Sequence, residues 1–113
     1  MNHNIVASFL NIAKDYIDEN MDFGLYKHTR LESDIDAIHI DSPADISALV
    51  YLSNTNLNSS TRFYDSIGNV SAEVKFLQNR AVFFTASMHH MSFRNHGDHL
   101  SNGRTTLNFF GKY

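Results

Sequence analysis

The chain has 113 residues and no cysteine. That excludes disulfides, thiolate metal sites and cysteine nucleophiles. It suits a reducing compartment, and a cytoplasmic location is expected. Charge is sparse. Charged residues make up 19% of the chain, the formal net charge is −3, and the basic residues are scattered. No basic face is available for nucleic acid, so nucleic-acid binding is not expected. No apolar run approaches the roughly 18–20 residues of a membrane helix, so no membrane span is expected. The start, Met1-Asn2-His3-Asn4, carries neither a basic region nor a small-residue cleavage site, so no signal peptide is expected either.

What is present is an ordinary globular composition, with 42% apolar residues. A chain of this length builds one core and not two, which predicts a single domain over residues 1–113. The seven histidines are many for the size and favour metal chemistry.

One helix is predicted, over residues 3–20. Ile5, Phe9, Ile12, Ala13, Tyr16 and Ile17 recur at helical spacing, with Lys14, Asp15, Asp18 and Glu19 largely opposite. Asn2 or Asn4 suits its start, and Asn20 and Gly24 mark its end. Beyond Met21 the pattern changes to short strands. Eight are predicted in a β core over residues 23–110: 23–31, 37–41, 46–53, 61–65, 72–77, 80–86, 89–94 and 105–110. Turn-forming residues separate them at Ser42-Pro43-Ala44-Asp45, Asn54 to Ser60, Ile67-Gly68-Asn69, Gln78-Asn79 and Asn95 to Gly103. Eight short strands without intervening helices point to an all-β sandwich or barrel. The double-stranded β-helix, the cupin-like jelly roll, is its natural eight-strand form.

His39 and Asp41 stand two apart in the alternating segment Asp36-Ala37-Ile38-His39-Ile40-Asp41. Residues i and i+2 of a strand share a face, so the two side chains point together, away from Ile38 and Ile40. As an isolated pair they are most simply polar residues on a half-exposed strand. A second histidine aimed at the same place would complete the two-histidine, one-carboxylate facial triad of non-haem Fe(II) sites. Only one of the neighbours His89 and His90 can face inward, and His90 is preferred with His89 as the alternative. His96 and His99 lie in the polar stretch Asn95 to Asp98 and its neighbour, where solvation is the simpler role. In the last strand Arg104 and Thr106 share one face, and Leu107 and Phe109 the other. A guanidinium fork with a hydroxyl two residues on suits a carboxylate.

Four segments together resemble the Fe(II)- and 2-oxoglutarate-dependent dioxygenase superfamily, in its prolyl 4-hydroxylase-like branch. They are HIDSPADISALVYLS from His39, STRFYD from Ser60, NRAVFFTASMHH from Asn79 and GRTTLNFF from Gly103. The resemblance covers about Tyr26 to Phe110. It implies iron ligation by His39, Asp41 and His90. It implies that Arg104 and Thr106 bind the distal carboxylate of 2-oxoglutarate. Tyr51 matches a position whose phenol often joins that carboxylate, and its plainer role is a core aromatic. The implied reaction consumes 2-oxoglutarate and O2, releases succinate and CO2, hydroxylates a protein side chain or small metabolite, and uses ascorbate as a reductant. The chain departs from the pattern at Ser59-Ser60, where paired glycines usually lie, and lacks the acidic residue before Thr61. With one helix in place of several, the chain is expected to be a minimal or truncated member, or one that covers its larger sheet by forming a homodimer. Two other readings fit the same residues: a catalytically silent jelly-roll module that binds a metal, ligand or partner, and a cupin-like metalloprotein that does not use 2-oxoglutarate.

Overall fold

The computed structural model describes residues 22–31, 34, 37–94, 97 and 102–113. The helix expected over residues 3–20 lies outside them, as do His96 and His99. Seven strands run through the described part: β1 (Asp22–Arg30), β2 (Ile46–Tyr51), β3 (Asn56–Tyr64), β4 (Val70–Phe76), β5 (Ala81–Thr85), β6 (His89–Phe93) and β7 (Arg104–Lys112). All pairings between them are antiparallel. One sheet has the order β1-β7-β2-β5 and the other β4-β3-β6. Among the described residues, no helix is long and apolar enough to cross a membrane.

The central strands β2 and β7 are rich in β-branched and aromatic residues and are buried on both faces. On one face Ala48, Val50, Leu107 and Phe109 form an apolar cluster, flanked by Leu25, Ile46, Leu52 and Phe83. Leu107 and Phe109 are fully buried within the single chain. The other face looks toward the second sheet and carries Ser47, Tyr51, Arg104 and Thr106, all buried. Tyr51 stacks on Phe76 with ring centroids 4.3 Å apart, and Phe63 meets Phe84 edge-on at 5.0 Å. Aromatic pairs at these separations are favourable beyond the area they bury. The interior between the sheets is therefore aromatic at its base and polar toward β7 and β2.

Two predicted elements are corrected. The strand expected over 37–41 shrinks to one isolated antiparallel bridge between His39 and His90. The cause lies in the β5–β6 turn, where the Met88 amide bonds the Thr85 carbonyl. This turn takes residues 86–88 out of the ladder, so the Asp41 amide reaches the Ala86 carbonyl and not Met88, which the bridge register would place opposite it. The second correction is the stretch 54–60, expected as a turn. From Asn56 onward it is instead the start of β3, because the register jumps from Asn56↔Phe76 to Ser60↔Lys75. The irregularity absorbs extra residues on one strand. It explains why Ser59, Ser60 and Thr61 are all buried where strand alternation alone would expose one. The turns at Gly68 (φ 89°) and Asn79 (φ 69°) fall where the sequence placed them. Both positions adopt the left-handed region that glycine and asparagine tolerate best.

Candidate metal centre

Three side chains converge between the sheets. His39, Asp41 and His90 each offer a ligand atom, and these atoms all lie within 4.8 Å of one another. His39 Nε2 is 3.6 Å from Asp41 Oδ1, and His90 Nε2 is 3.3 Å from Asp41 Oδ2. Three nitrogen and oxygen donors at about 2.1 Å from one ion stand about 3 Å apart in adjacent octahedral positions. Side-chain movements of a few tenths of an ångström bring the two measured pairs to that spacing. The donor set fits a divalent first-row metal such as Fe(II), and three protein ligands leave open positions.

The backbone sets this geometry. His39 and His90 are directly opposed in the bridge and exchange both backbone hydrogen bonds, each at 3.0 Å. Their rings therefore leave the ladder on one face, with centroids 4.3 Å apart. Each ring also contacts a carbonyl two residues upstream through Nδ1: His39 with Ala37 O at 2.8 Å, and His90 with Met88 O at 2.8 Å. A carbonyl can only accept, so both Nδ1 atoms carry hydrogen, and both Nε2 atoms are the ones directed at Asp41. Metal-binding imidazoles are commonly oriented in this way. Ser47 donates its hydroxyl to Asp41 Oδ2 at 2.7 Å, the oxygen that also faces His90 Nε2, and holds the carboxylate in place.

The protonation of the pair follows from these contacts. Burial alone would lift the Asp41 carboxyl, but hydrogen bonds from His90 and Ser47 and the nearby imidazoles hold it below its ordinary value. Burial alone would lower His90, but its bonds to Asp41 and Met88 raise it. Metal-free, these contacts favour the imidazolium form of His90 beside the Asp41 carboxylate. A metal ion replaces the proton on Nε2.

Of the two adjacent histidines, His90 is buried and His89 exposed. His90 packs against Phe84 at 4.7 Å and Phe63 at 6.0 Å. His39 remains half-exposed, so the centre opens on that side.

A cavity of about 80 Å³ leads from the triad along the inner face of β7. Its walls include His39, Asp41, His90, Arg104, Thr106 and Asn108. Arg104 is 5% exposed. Its guanidinium donates to the Ser60 carbonyl at 2.9 Å and to Thr61 Oγ1 at 2.7 Å, and lies 5.5 Å from the Tyr51 ring centre and 5.4 Å from that of Phe76. Thr106 Oγ1 donates to Asn108 Oδ1 at 2.6 Å. The Tyr51 phenol bonds Thr61 Oγ1 at 2.8 Å and the Val74 carbonyl at 3.2 Å. These contacts place Tyr51 in the aromatic base behind Arg104. A wider groove of about 510 Å³ lies on the other side of Asp41, among Phe23, Tyr26, Ile40, Pro43 and Phe110. Groove and cavity share Asp41 and Phe110.

The sequence reading missed Ser47, Ser60 and Thr61. Ser47 had a signal, as the polar residue in the otherwise apolar run Ile46-Ser47-Ala48-Leu49-Val50, at the parity that faces inward. Ser60 acts through its carbonyl, and its placement depends on the β3 irregularity, so no residue type marked it.

The chain is similar in fold to a prolyl 4-hydroxylase from Phytophthora capsici, at a TM-score of 0.61 and 14% identity. The likeness covers 98% of this chain and 40% of that protein. No protein-family profile and no curated protein sequence matches the chain.

Proposed function

We propose that the chain is the jelly-roll core of an Fe(II)- and 2-oxoglutarate-dependent oxygenase. The observation that carries this reading is the convergence of His39, Asp41 and His90, with both imidazole Nε2 atoms directed at the carboxylate. Two further observations support it. The single His39 bridge lies beside β6, the edge of the three-stranded sheet, and so places the triad between that sheet and the four-stranded one. The cavity from the triad also ends at a buried guanidinium with a hydroxyl two residues on.

Fe(II), when bound, supplies the O2 activation that couples decarboxylation of 2-oxoglutarate to hydroxylation. The chain's residues have separate tasks. His39, Asp41 and His90 would hold the ion, and three protein ligands would leave positions open. Ser47 and the Ala37 and Met88 carbonyls keep the three ligands oriented. Arg104 and Thr106 receive the distal carboxylate, and burial makes that ion pair stronger than a surface one. The open groove beyond Asp41 takes the substrate, a peptide side chain or a small metabolite.

The test is anaerobic titration of the Fe(II)-loaded protein with 2-oxoglutarate, followed by succinate measurement on admitting O2 with ascorbate present. A visible charge-transfer band and succinate formation, both lost in His39→Ala, are expected. Metal binding with neither band nor succinate would make the chain a metal-binding module instead.

A further inference from the structure

β1 ends the four-stranded sheet, and among the described residues no strand pairs with its outer edge. An open edge is a row of amides and carbonyls that another chain can complete, and folds commonly blunt it by shortness, irregularity or charge. The other outer strands are blunted in these ways. β5 has five residues, β4 is broken by register shifts and carries the Glu73–Lys75 ion pair, and β6 has the His39 bridge on its free side. β1 instead runs nine residues in unbroken register with β7, and its Phe23 and Tyr26 are more than half exposed. The apolar face of the same sheet asks for no partner, since Leu107 and Phe109 on it are fully buried within the single chain.

We propose that two copies of the chain pair along β1, antiparallel about a two-fold axis at Tyr26, so that the two four-stranded sheets become one. The strand is self-complementary in this register. It carries an acid at one end and a base at the other, in Asp22-Phe23-Gly24-Leu25-Tyr26-Lys27-His28-Thr29-Arg30. Pairing centred on Tyr26 sets Asp22 against the partner's Arg30 at both ends and Tyr26 against the partner's Tyr26. Lys27 meets the partner's Leu25, so no like charges are opposed. Opposite charges and aromatic pairs directly across an antiparallel ladder are favourable. All nine residues find partners, and each sheet face continues into its counterpart, which a shift of one residue would reverse. The contact is isologous, the form that closes a dimer. In-register parallel pairing would set Asp22 against Asp22 and Arg30 against Arg30, which is disfavoured.

The dimer reaches the candidate site. Asp22, Gly24 and Tyr26 line the groove beyond Asp41. In this register the partner's His28 and the partner's Arg30 stand beside Gly24 and Asp22, and give that groove a basic outer wall. The pairing itself rests on strand geometry and charge and stands apart from the oxygenase reading.

Sedimentation equilibrium of the full chain tests it. Wild type should dimerise. Asp22→Arg and Arg30→Asp should each weaken the dimer about tenfold or more, because each opposes like charges at both ends. Mixed in equal amounts, the two variants should recover a dimer of wild-type strength, since both end pairs are again of opposite sign. Tyr26→Lys, at an exposed position, should weaken the dimer by opposing two ammonium groups across the axis. A monomeric wild type would overturn the proposal. So would a dimer that Asp22→Arg and Tyr26→Lys leave at wild-type strength, since that dimer uses another surface. A mixture that stays monomeric, with both variants keeping the wild-type circular dichroism, would overturn the register. Should Arg30→Asp lose that spectrum, Asp22→Arg and Tyr26→Lys decide the question.

Discussion

His39 and His90 meet across a single antiparallel bridge, each amide bonded to the other's carbonyl at 3.0 Å. Two ligands far apart in sequence thus share one rigid backbone element. Their environments differ: the His39 side chain is 49% exposed and that of His90 only 7%. His39→Ala should therefore abolish tight Mn(II) binding with little loss of stability. His90→Ala should abolish it too and also cost about 1–3 kcal/mol, because it opens a gap beside Phe63 and Phe84. Metal titration and urea denaturation of both variants check the contrast. Equal destabilisation by the two would contradict it.

The Asp41–His90 pair predicts opposite pH trends with and without metal. His90 is raised above its ordinary 6.5, so its contribution to metal-free stability is complete below that value and is lost as pH rises through the folded value. Asp41 is lowered beneath 3.8, so its contribution is present above 3.8 and is lost as pH falls through the folded value. For this pair, metal-free stability peaks between about pH 4 and 6.5. Metal binding needs the Nε2 proton gone. The rise in Tm produced by Mn(II) should grow from pH 6 to pH 8 while the metal-free Tm falls. A flat metal-induced shift across that range would remove His90 from the ligand set.

Ser47 is the strongest test of how far the surrounding shell matters. Ser47 is 1% exposed, and its hydroxyl bonds Asp41 Oδ2 at 2.7 Å. Ser47→Ala frees the carboxylate to rotate and should weaken metal binding about tenfold, the lower end of what such partners contribute. The lost hydrogen bond should cost about 1 kcal/mol of stability. Calorimetric metal affinity unchanged in the variant would show that the two histidine contacts orient Asp41 alone.

The chemistry-bearing residues were more legible than the elements carrying them. Period-two alternation put His39 with Asp41 and Arg104 with Thr106, while parity allowed only one of His89 and His90 to face inward and left the choice to the structure, where His90 is the buried one. These follow from local rules about which way a side chain points. The strand over 37–41 and the start of β3 were misread because each depends on a partner. Residues 37–41 have strand chemistry, but the β5–β6 turn withdraws the ladder they would extend. Residues 56–60 have turn chemistry, Asn-Leu-Asn-Ser-Ser, yet pairing on both sides from Ser60 onward draws them into β3. Non-local pairing overrides propensity in both places.

The outer face of the second sheet offers an independent check on Ser60. Glu73 receives Arg62 Nε at 2.6 Å, Lys75 Nζ at 3.0 Å and the Ser60 hydroxyl at 3.1 Å. Arg62 and then Lys75 hold its carboxyl down to about 2. The group is solvent-accessible, so Glu73→Gln should cost less than about 1 kcal/mol. Succinate affinity should hold, because Arg104 uses the Ser60 carbonyl and not its hydroxyl. A large affinity loss would show that the cluster positions the β3 backbone at Arg104.

Tyr51 separates a structural role from a ligand-binding one. Its phenol is fully buried and spends its hydrogen on Thr61 and the Val74 carbonyl. Burial raises its ionisation above the ordinary value, so it stays a neutral donor at any working pH. Tyr51→Phe preserves the stack on Phe76 but removes a donor from Thr61 Oγ1, the same atom that accepts Arg104. Stability should fall by about 1–2 kcal/mol. Succinate affinity should change less than threefold, since Arg104 keeps both its oxygen partners. A tenfold or greater loss of succinate affinity in Tyr51→Phe, with Mn(II) affinity intact, would make the phenol a direct partner of the carboxylate and overturn its placement in the core.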